Sequence, residues 1–225
     1  MRKESLVSLL TREILGRIAQ GAYPAGKRLP AERTMAVELG VSRLTLRQAL
    51  AALRRLGVLS SRHGSGNYVR SFSRVELPSE LGGGVVGYDP GALRDVIEAR
   101  EGLEVYAASL AARRRTSGHV TALRQHLAAM REHAEDLPRF VVADMRFHHG
   151  IAEAAGNPLL VKLMEAISQQ QRFSQLSTAY RPGEQARTVA FHERVLRAVA
   201  RGEPRRAERA RSEEHTSELQ SRQVI

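Results

Sequence analysis

Apolar residues recur at helical spacing along the first twenty residues of the chain. Leu6, Leu9, Leu10, Ile14 and Ile18 lie one to four residues apart on one face, which predicts an amphipathic helix over residues 5–20. Gly21 and Pro24 are typical of the end of such a helix. The next residues, 26–30, predict a short extended link.

A pair of closely spaced helices is predicted next. The segment 29–43 predicts one helix that begins near Ala31 and ends at Gly40, and a second that begins at Ser42, whose hydroxyl can cap it. The second helix has an apolar stripe at Leu46, Leu50 and Leu53 and ends at Gly57. Two helices joined by a tight turn that contains glycine are typical of a helix-turn-helix, which places its second helix in the DNA major groove.

The pattern changes twice more along the chain. Two short runs, 58–62 and 67–69, flank a glycine-rich tip and predict a β-hairpin, so residues 1–70 are predicted to form a winged helix-turn-helix. Residues 71–91 lose all periodicity and predict a linker. From Ala92 the period is helical, with helices expected near 92–113, 117–135, 138–155, 158–179, 184–201 and 204–210. The predicted fold is therefore mainly α, with an antiparallel all-α bundle over residues 92–210.

The positive charge is concentrated in the N-terminal third. Residues 1–74 carry 14 Lys and Arg against 4 Asp and Glu, whereas residues 75–225 carry 21 against 20. Such a distribution is typical of phosphate binding, and it favours double-stranded DNA as a partner. A basic helix on a membrane surface is disfavoured, because the charges are spread over several short elements.

Composition excludes several other classes. The chain has no cysteine, so it has neither a disulfide framework nor a thiolate metal site. It has no run of eighteen apolar residues and no pattern of a signal peptide, so we expect a cytoplasmic protein without a membrane span. Aromatic residues make up only 4% of the chain, which argues against stacking platforms for single-stranded nucleic acid.

The motifs in residues 5–70 resemble the GntR family of bacterial regulators. The matching residues are Gly21, Pro24-Ala25-Gly26, Leu29-Pro30-Ala31-Glu32-Arg33, Val41-Ser42-Arg43, Leu46-Arg47-Gln48-Ala49-Leu50, Leu56-Gly57 and His63-Gly64-Ser65-Gly66. The helical part resembles the FCD domain of the FadR subfamily. Its matches are Glu98-Ala99-Arg100, Glu104, Asp144-x3-His148, Ala155-Gly156-Asn157-Pro158 and Phe191-His192-Glu193. The resemblance implies a dimeric regulator that binds DNA, and not an enzyme.

The candidate DNA contacts lie in the helix-turn-helix and in the wing. Arginine can meet guanine or phosphate with two parallel hydrogen bonds, and Arg43 and Arg47 share a helix face. Thr45 can contact phosphate or a thymine methyl, and the glycines of the wing allow a close approach of backbone to DNA. The set of DNA-binding residues is Arg33, Ser42, Arg43, Thr45, Arg47, His63 and Gly64. The alternative is an ordinary solvated face.

Three ionisable residues interrupt apolar stripes of the helical part. Asp144 and His148 lie four residues apart on an otherwise apolar stripe, and His192 does the same on a later helix. Buried ionisable groups are costly unless they are paired or bind a metal. One carboxylate with imidazoles suits Zn²⁺, Ni²⁺ or Fe/Mn, whereas the alternative is an Asp–His hydrogen bond in a polar core. The FCD resemblance favours the divalent metal.

A second anomaly is found at Arg100 and Glu104, which also lie on an apolar stripe. They form either a buried ion pair or, through Arg100, a clamp for the carboxylate of a small organic acid effector. Asn157 precedes Pro158 and is expected to cap a helix, and it is also a candidate effector contact. His149 lies one step off its stripe, and His119, His126 and His133 recur on one face that we expect to be exposed.

The last fifteen residues differ from the rest. Residues 211–221 read Arg-Ser-Glu-Glu-His-Thr-Ser-Glu-Leu-Gln-Ser, which is the translation of a common sequencing adapter. We therefore expect an artefactual tail over 211–225 that truncates the last helix. The resemblance implies a third histidine on that helix. His215 lies about one residue late for this role, in a polar segment without an apolar stripe to dock it, so it is left unassigned.

Together these features predict a homodimeric, ligand-responsive transcription regulator. Two alternatives stay open: a metal-free sensor of a larger ligand such as an acyl-CoA, and a metal-dependent hydrolase, for which no general base is evident. The effector, the operator sequence and the sign of regulation are not specified by the sequence.

Overall fold

The computed structural model describes residues 5–62, 65–70, 74–76, 85–87, 93–167 and 183–222. Its N-terminal part contains three helices followed by an antiparallel hairpin. These elements are α1 (Leu6–Ala19), α2 (Glu32–Glu38), α3 (Arg43–Arg55), β1 (Leu59–Arg62) and β2 (Gly66–Val69). The predicted winged helix-turn-helix is confirmed as a fold.

Hydroxyl caps and one glycine set the helix boundaries in this part. The Ser5 side chain accepts a hydrogen bond from the backbone N–H of Ser8, and Ser42 accepts one from Thr45, so both helices begin at a serine cap. Gly40 has a φ of 64°, in the left-handed region that glycine adopts without strain. The tight turn between α2 and α3 therefore depends on this glycine.

The wing pairs with the predicted extended link. In the hairpin, Leu59 lies opposite Val69 and Arg62 lies opposite Gly66. On the other side of β2, Arg28 forms an isolated bridge with Tyr68. The link over residues 26–30 therefore anchors the wing to the helices.

The predicted linker is not entirely irregular. Within 71–91 the structure has two three-residue strands, β3 (Arg74–Glu76) and β4 (Val85–Gly87), which pair antiparallel with Val75 opposite Val86. Three-residue strands are too short to show an alternating pattern, which is why sequence periodicity missed them.

The C-terminal part is helical throughout its described residues. It contains α4 (Leu93–Arg114), α5 (Ser117–Glu132), α6 (Leu137–Ala154), α7 (Pro158–Ala166), α8 (Glu184–Arg201) and α9 (Pro204–Arg222). Side chains cap three of these helices: Thr116 caps α5, Asp136 caps α6 and Asn157 caps α7. The predicted helical bundle is confirmed.

Helices α7 and α9 have ends that differ from the predicted helix ends. The helix expected over 158–179 is described as α7 to Ala166, and the rest of that prediction lies outside the described residues. The last helix does not end at residue 210 but continues to Arg222.

Helix α6 lies at the centre of the bundle. It packs against α4, α5 and α7, and on another side it contacts α1 and α3 of the N-terminal part. Gly150 allows the close approach of α5, because a Cβ at that position would lie 3.1 Å from a methyl carbon of Leu123. The same helix therefore contacts both the interior of the bundle and the winged helix-turn-helix.

Candidate metal centre and nucleic-acid interface

The three ionisable residues that interrupt apolar stripes come together in the interior of the bundle. Asp144 and His148 lie one turn apart on α6, so their side chains share a face, and His192 reaches them from α8. All three are at most 4% exposed. Asp144 Oδ1 lies 2.7 Å from His192 Nε2 and 3.7 Å from His148 Nε2. The structure thus brings the whole predicted set into one group whose ligand atoms lie within 4.8 Å of one another.

The polar atoms of this group lack well-directed partners. Within the described residues, Asp144 Oδ1, His148 Nε2 and His192 Nε2 make no hydrogen bond of acceptable geometry. Buried polar atoms rarely stay unsatisfied, because desolvation without a partner is costly. Ligand atoms bound to a tetrahedral Zn²⁺ at about 2.0–2.1 Å lie roughly 3.4 Å apart. The donor set and its spacing fit such an ion after a small opening of the Asp144–His192 contact.

The electrostatic environment keeps His148 neutral. Burial and the nearby Arg211 cation lower the pKa of His148 well below its usual range. Burial also disfavours the charged form of His192, but the carboxylates of Glu214 and Asp144 outweigh it and raise the pKa of His192 to about 9. Burial raises the pKa of Asp144. A neutral imidazole with an available lone pair is the form in which histidine binds metal.

A small cavity lies beside this group. Its volume is about 60 Å³, and its walls include Arg100, Asp144, His148 and Gln185. Arg100 on α4 is 1% exposed, and its Nε donates a hydrogen bond of 3.3 Å to Glu104 Oε1. The structure therefore shows both a buried Arg100–Glu104 ion pair and the position of Arg100 on the cavity wall.

The C-terminal segment enters the same region, and this corrects an expectation from the sequence. Arg211 and His215 are buried on α9, where Arg211 contacts Glu104 and Glu214, and His215 Nε2 lies 2.8 Å from Glu104 Oε2. Burial alone would raise the pKa of Glu104, but the guanidinium groups of Arg211 and Arg100 and the contact with His215 outweigh burial and hold this pKa well below its usual range. The segment therefore docks through buried polar contacts. A search of the sequence for an apolar stripe does not detect docking of this kind.

The position of His215 has a further consequence for the ligand set. His215 faces Glu104 and does not belong to the group of Asp144, His148 and His192. Glu214, by contrast, approaches that group, with its Oε1 3.2 Å from His192 Nδ1. The origin of residues 211–225 as a translated adapter stays a prediction.

Most of the predicted DNA contacts that the structure describes are exposed. Arg33 on α2 and Arg43 and Arg47 on α3 are exposed. The hydroxyls of Ser42 and Thr45 lie 2.8 Å apart at the start of α3. Arg47 Nε donates a hydrogen bond of 2.8 Å to Glu32 Oε2, so this exposed arginine of α3 is paired with α2. His63 and Gly64 lie outside the described residues.

The remaining predicted residues have other partners. Asn157 accepts hydrogen bonds from the backbone N–H groups of Leu159 and Leu160 and is not among the residues that line the small cavity. Its role as an effector contact stays a prediction. His149 is exposed and lies 3.2 Å from Glu165.

Sequence reasoning missed Gln185 and Glu214 as residues of this region. Gln185 is 5% exposed and lies seven residues before His192, so two helical turns place both on the same face of α8. That spacing is the signal that could have found it. Glu214 had no such signal, because it lies in the polar segment 212–217, which has no apolar stripe.

Comparison with known families agrees with this architecture. Residues 8–69 match the family described as bacterial regulatory proteins, gntR family, and residues 95–216 match the FCD domain. The second match covers more than half of the chain. Within the described residues, no helix is long and apolar enough to cross a membrane.

Several curated proteins are similar to this chain. A protein of Escherichia coli strain K12 named for regulation of the L-lactate dehydrogenase operon is 38% identical over 147 residues, which are 64% of this chain and 56% of that protein. The chain thus spans little more than half the length of that relative. The HTH-type transcriptional regulator LutR of Bacillus subtilis strain 168 is 29% identical over 204 residues, or 86% of this chain and 90% of LutR.

Solved structures share the fold. The GntR protein of Streptococcus agalactiae has a TM-score of 0.50 at 27% identity and covers 94% of this chain and 98% of its own. McbR/YncC of E. coli has a TM-score of 0.55 at 19% identity, with 96% of both chains covered, and shows the fold alone. With both of its parts matched in order, the chain belongs to the GntR family of bacterial regulatory proteins and carries an FCD domain.

Proposed function

We propose that this chain is a homodimeric transcription regulator that binds a double-stranded DNA operator and responds to a small organic acid held near a divalent metal. Asp144, His148 and His192 would hold the metal. The observation that carries this proposal is the convergence of their three buried ligand atoms without hydrogen-bond partners among the described residues. When bound, the cation would supply a Lewis-acidic anchor for a carboxylate.

The size of the cavity supports a small effector. About 60 Å³ accommodates a few non-hydrogen atoms, which is far less than an acyl-CoA requires. Arg100 lines the cavity, and a guanidinium presents five donors, so its pairing with Glu104 is compatible with a contact to a carboxylate. One relative is named for the L-lactate dehydrogenase operon, which favours short hydroxy acids as the class to test first.

The hydrolase alternative has less support. The matched family and the relatives are described as regulators. A hydrolase would also leave the winged helix without a role.

Helix α6 offers a route from the effector site to the DNA-binding fold. His148 and Val141 line the small cavity, and both also line a second cavity of about 410 Å³. The wall of that second cavity includes Leu56, just after α3, and Val142 and Met145 of α6. An effector that shifts α6 would therefore favour one placement of the winged helices in the dimer, and operator affinity depends on half-site spacing.

The test combines metal analysis with DNA binding. The chain is purified without chelator, its metal content is measured by elemental analysis, and operator affinity is measured by gel shift with and without a panel of small carboxylates. We expect about one divalent ion per chain and a change in affinity with one acid. An absence of metal, together with no response to any acid, would remove the metal and effector parts of the proposal. Failure to bind any DNA sequence would remove the regulator itself.

A further inference from the structure

Leu44 lies exposed in the first turn of α3. It is 68% exposed, whereas the other leucines of that helix, Leu46, Leu50 and Leu53, are at most 1% exposed. The core of the winged helix is complete without Leu44, so packing of the described residues does not explain a large apolar side chain at this position.

The neighbours of Leu44 belong to the proposed DNA-reading face. Arg47 and Gln48 lie three and four residues after it, so all three share one face of the helix, and Arg43 precedes it directly. These side chains are all exposed. The hydroxyls of Ser42 and Thr45, at the start of the same helix, form a hydrogen bond with each other. Leu44 is thus the apolar member of an otherwise polar surface.

The chemistry of the major groove indicates what such a side chain contacts. Base edges in this groove present hydrogen-bond donors and acceptors, and a single type of apolar group, the C5-methyl of thymine. The N-terminal residues of a recognition helix are those that reach base edges. We propose that Leu44 contacts a thymine methyl and specifies thymine at one position of each operator half-site. This inference rests on the proposed placement of α3 in the major groove.

Exposure alone does not carry the inference, because single exposed leucines are common on protein surfaces. Leu159, which is 53% exposed at the start of α7, is an example in this chain. The position of Leu44 between Arg43 and Arg47 distinguishes it. Leu159 therefore provides a matched control for an exposed leucine away from the DNA-reading face.

The test removes the methyl from the DNA and the leucine from the protein. Bound sequences are first selected from random duplexes with the full chain. Each thymine of the selected half-site is then replaced singly by deoxyuridine, which lacks only the C5-methyl. Affinity is measured by fluorescence anisotropy at fixed salt for the wild type, Leu44→Ala and Leu159→Ala.

We expect one position at which loss of the methyl weakens wild-type binding about fourfold, the equivalent of one buried methyl-sized group. Leu44→Ala should bind the two DNAs equally at that position, and Leu159→Ala should keep the fourfold difference. The inference is overturned if the wild type binds selected DNA with no sensitive thymine, or if Leu44→Ala keeps the sensitivity. Failure to select any sequence would instead overturn the placement of α3.

Discussion

Helices α3 and α6 both carry polar side chains on one face, but they place that face in opposite environments. On α3 the polar face, with Arg43 and Arg47, is exposed to solvent. On α6 the polar residues Asp144 and His148 lie in the interior, at most 4% exposed. The first arrangement suits a large charged partner that binds from outside, and the second suits a small ion or molecule that is enclosed.

The two environments leave different traces in a sequence. An exposed arginine costs little free energy, so its presence alone indicates nothing, and only the helix-turn-helix motif around it suggests DNA. A buried aspartate or histidine costs several kcal/mol unless it is paired or bound. The break in the apolar stripe of α6 is therefore informative by itself, even before a family resemblance is considered.

The largest expected effect concerns the interior site. His148→Ala should abolish stoichiometric metal binding, because Asp144 and His192 would face each other without the third ligand. At a metal concentration of 1,000 times Kd, the wild type gains about 4 kcal/mol of stability, and the variant should lose this gain. Elemental analysis and thermal unfolding with and without metal measure both effects.

His149→Ala is the matched control for that experiment. His149 follows directly in sequence but is exposed and contacts Glu165. The variant His149→Ala should therefore bind as much metal as the wild type. Equal metal content in wild type and His148→Ala would contradict the assignment of the ligands.

The second prediction concerns the C-terminal segment, where sequence and structure lead to different expectations. If residues 211–225 have no structural role, Arg211→Ala should leave stability unchanged. The structure instead places Arg211 in buried contact with Glu104, and Arg100 is the other arginine paired with this carboxylate. Removing one partner of a buried pair should lower the free energy of unfolding by about 3 kcal/mol.

Denaturant unfolding of Arg211→Ala tests this expectation, and Arg209→Ala, an exposed position two residues earlier, is the control. Equal stability of Arg211→Ala and wild type would contradict the buried docking of this segment. Resequencing of the locus decides independently whether the genomic reading frame continues through this segment.

Much of the fold could be predicted from the sequence, because its signals are local. Helical spacing located α1, α3 and α8, the serines marked the starts of two helices, and Gly40 marked the turn. The strands β3 and β4 could not be predicted, since three residues are too few to define a period. The extension of α9 could not be predicted either. Its buried side chains, Arg211 and His215, are of types that usually lie on a solvent-exposed helix face.

The candidate site could be predicted only in part for a related reason. Asp144, His148 and His192 each interrupt an apolar stripe, so each was visible within its own helix. Their convergence, and the approach of Glu214 to His192, depend on how α6, α8 and α9 pack, which no single helix encodes. The sequence also left open whether Arg100 forms a buried ion pair or lines an effector site. The structure shows Arg100 paired with Glu104 and also on the wall of the small cavity.

The third prediction concerns the exposed face of α3. Arg43→Ala should lose about 1–3 kcal/mol of specific binding free energy if Arg43 contacts a base. A gel shift with selected operator DNA measures the loss. Arg205→Ala, an exposed arginine at the start of α9, is the charge-matched control and should have little effect. Unchanged affinity and unchanged sequence preference in Arg43→Ala would contradict its assignment as a base contact.

The smallest expected effect tests whether Arg47 exchanges partners when DNA binds. In the structure Arg47 is held by Glu32 through a 2.8 Å hydrogen bond on the exposed surface. DNA must replace this carboxylate if Arg47 is to contact a base or a phosphate. Glu32→Gln should therefore tighten operator binding by about two- to fivefold, the range of a surface ion pair. Fluorescence anisotropy at fixed salt measures the change.

The same substitution in an Arg47→Ala background separates this exchange from a general charge effect. Loss of a negative charge near DNA increases affinity through long-range attraction whether or not Arg47 takes part, but that contribution is weakened by salt. If the exchange occurs, Glu32→Gln should tighten binding more in the presence of Arg47 than in its absence, and the difference should persist at 0.3 M salt. An equal effect in both backgrounds would mean that Arg47 remains paired with Glu32 or does not reach the DNA. The exposed face of α3 would then act through Arg43 and its neighbours alone.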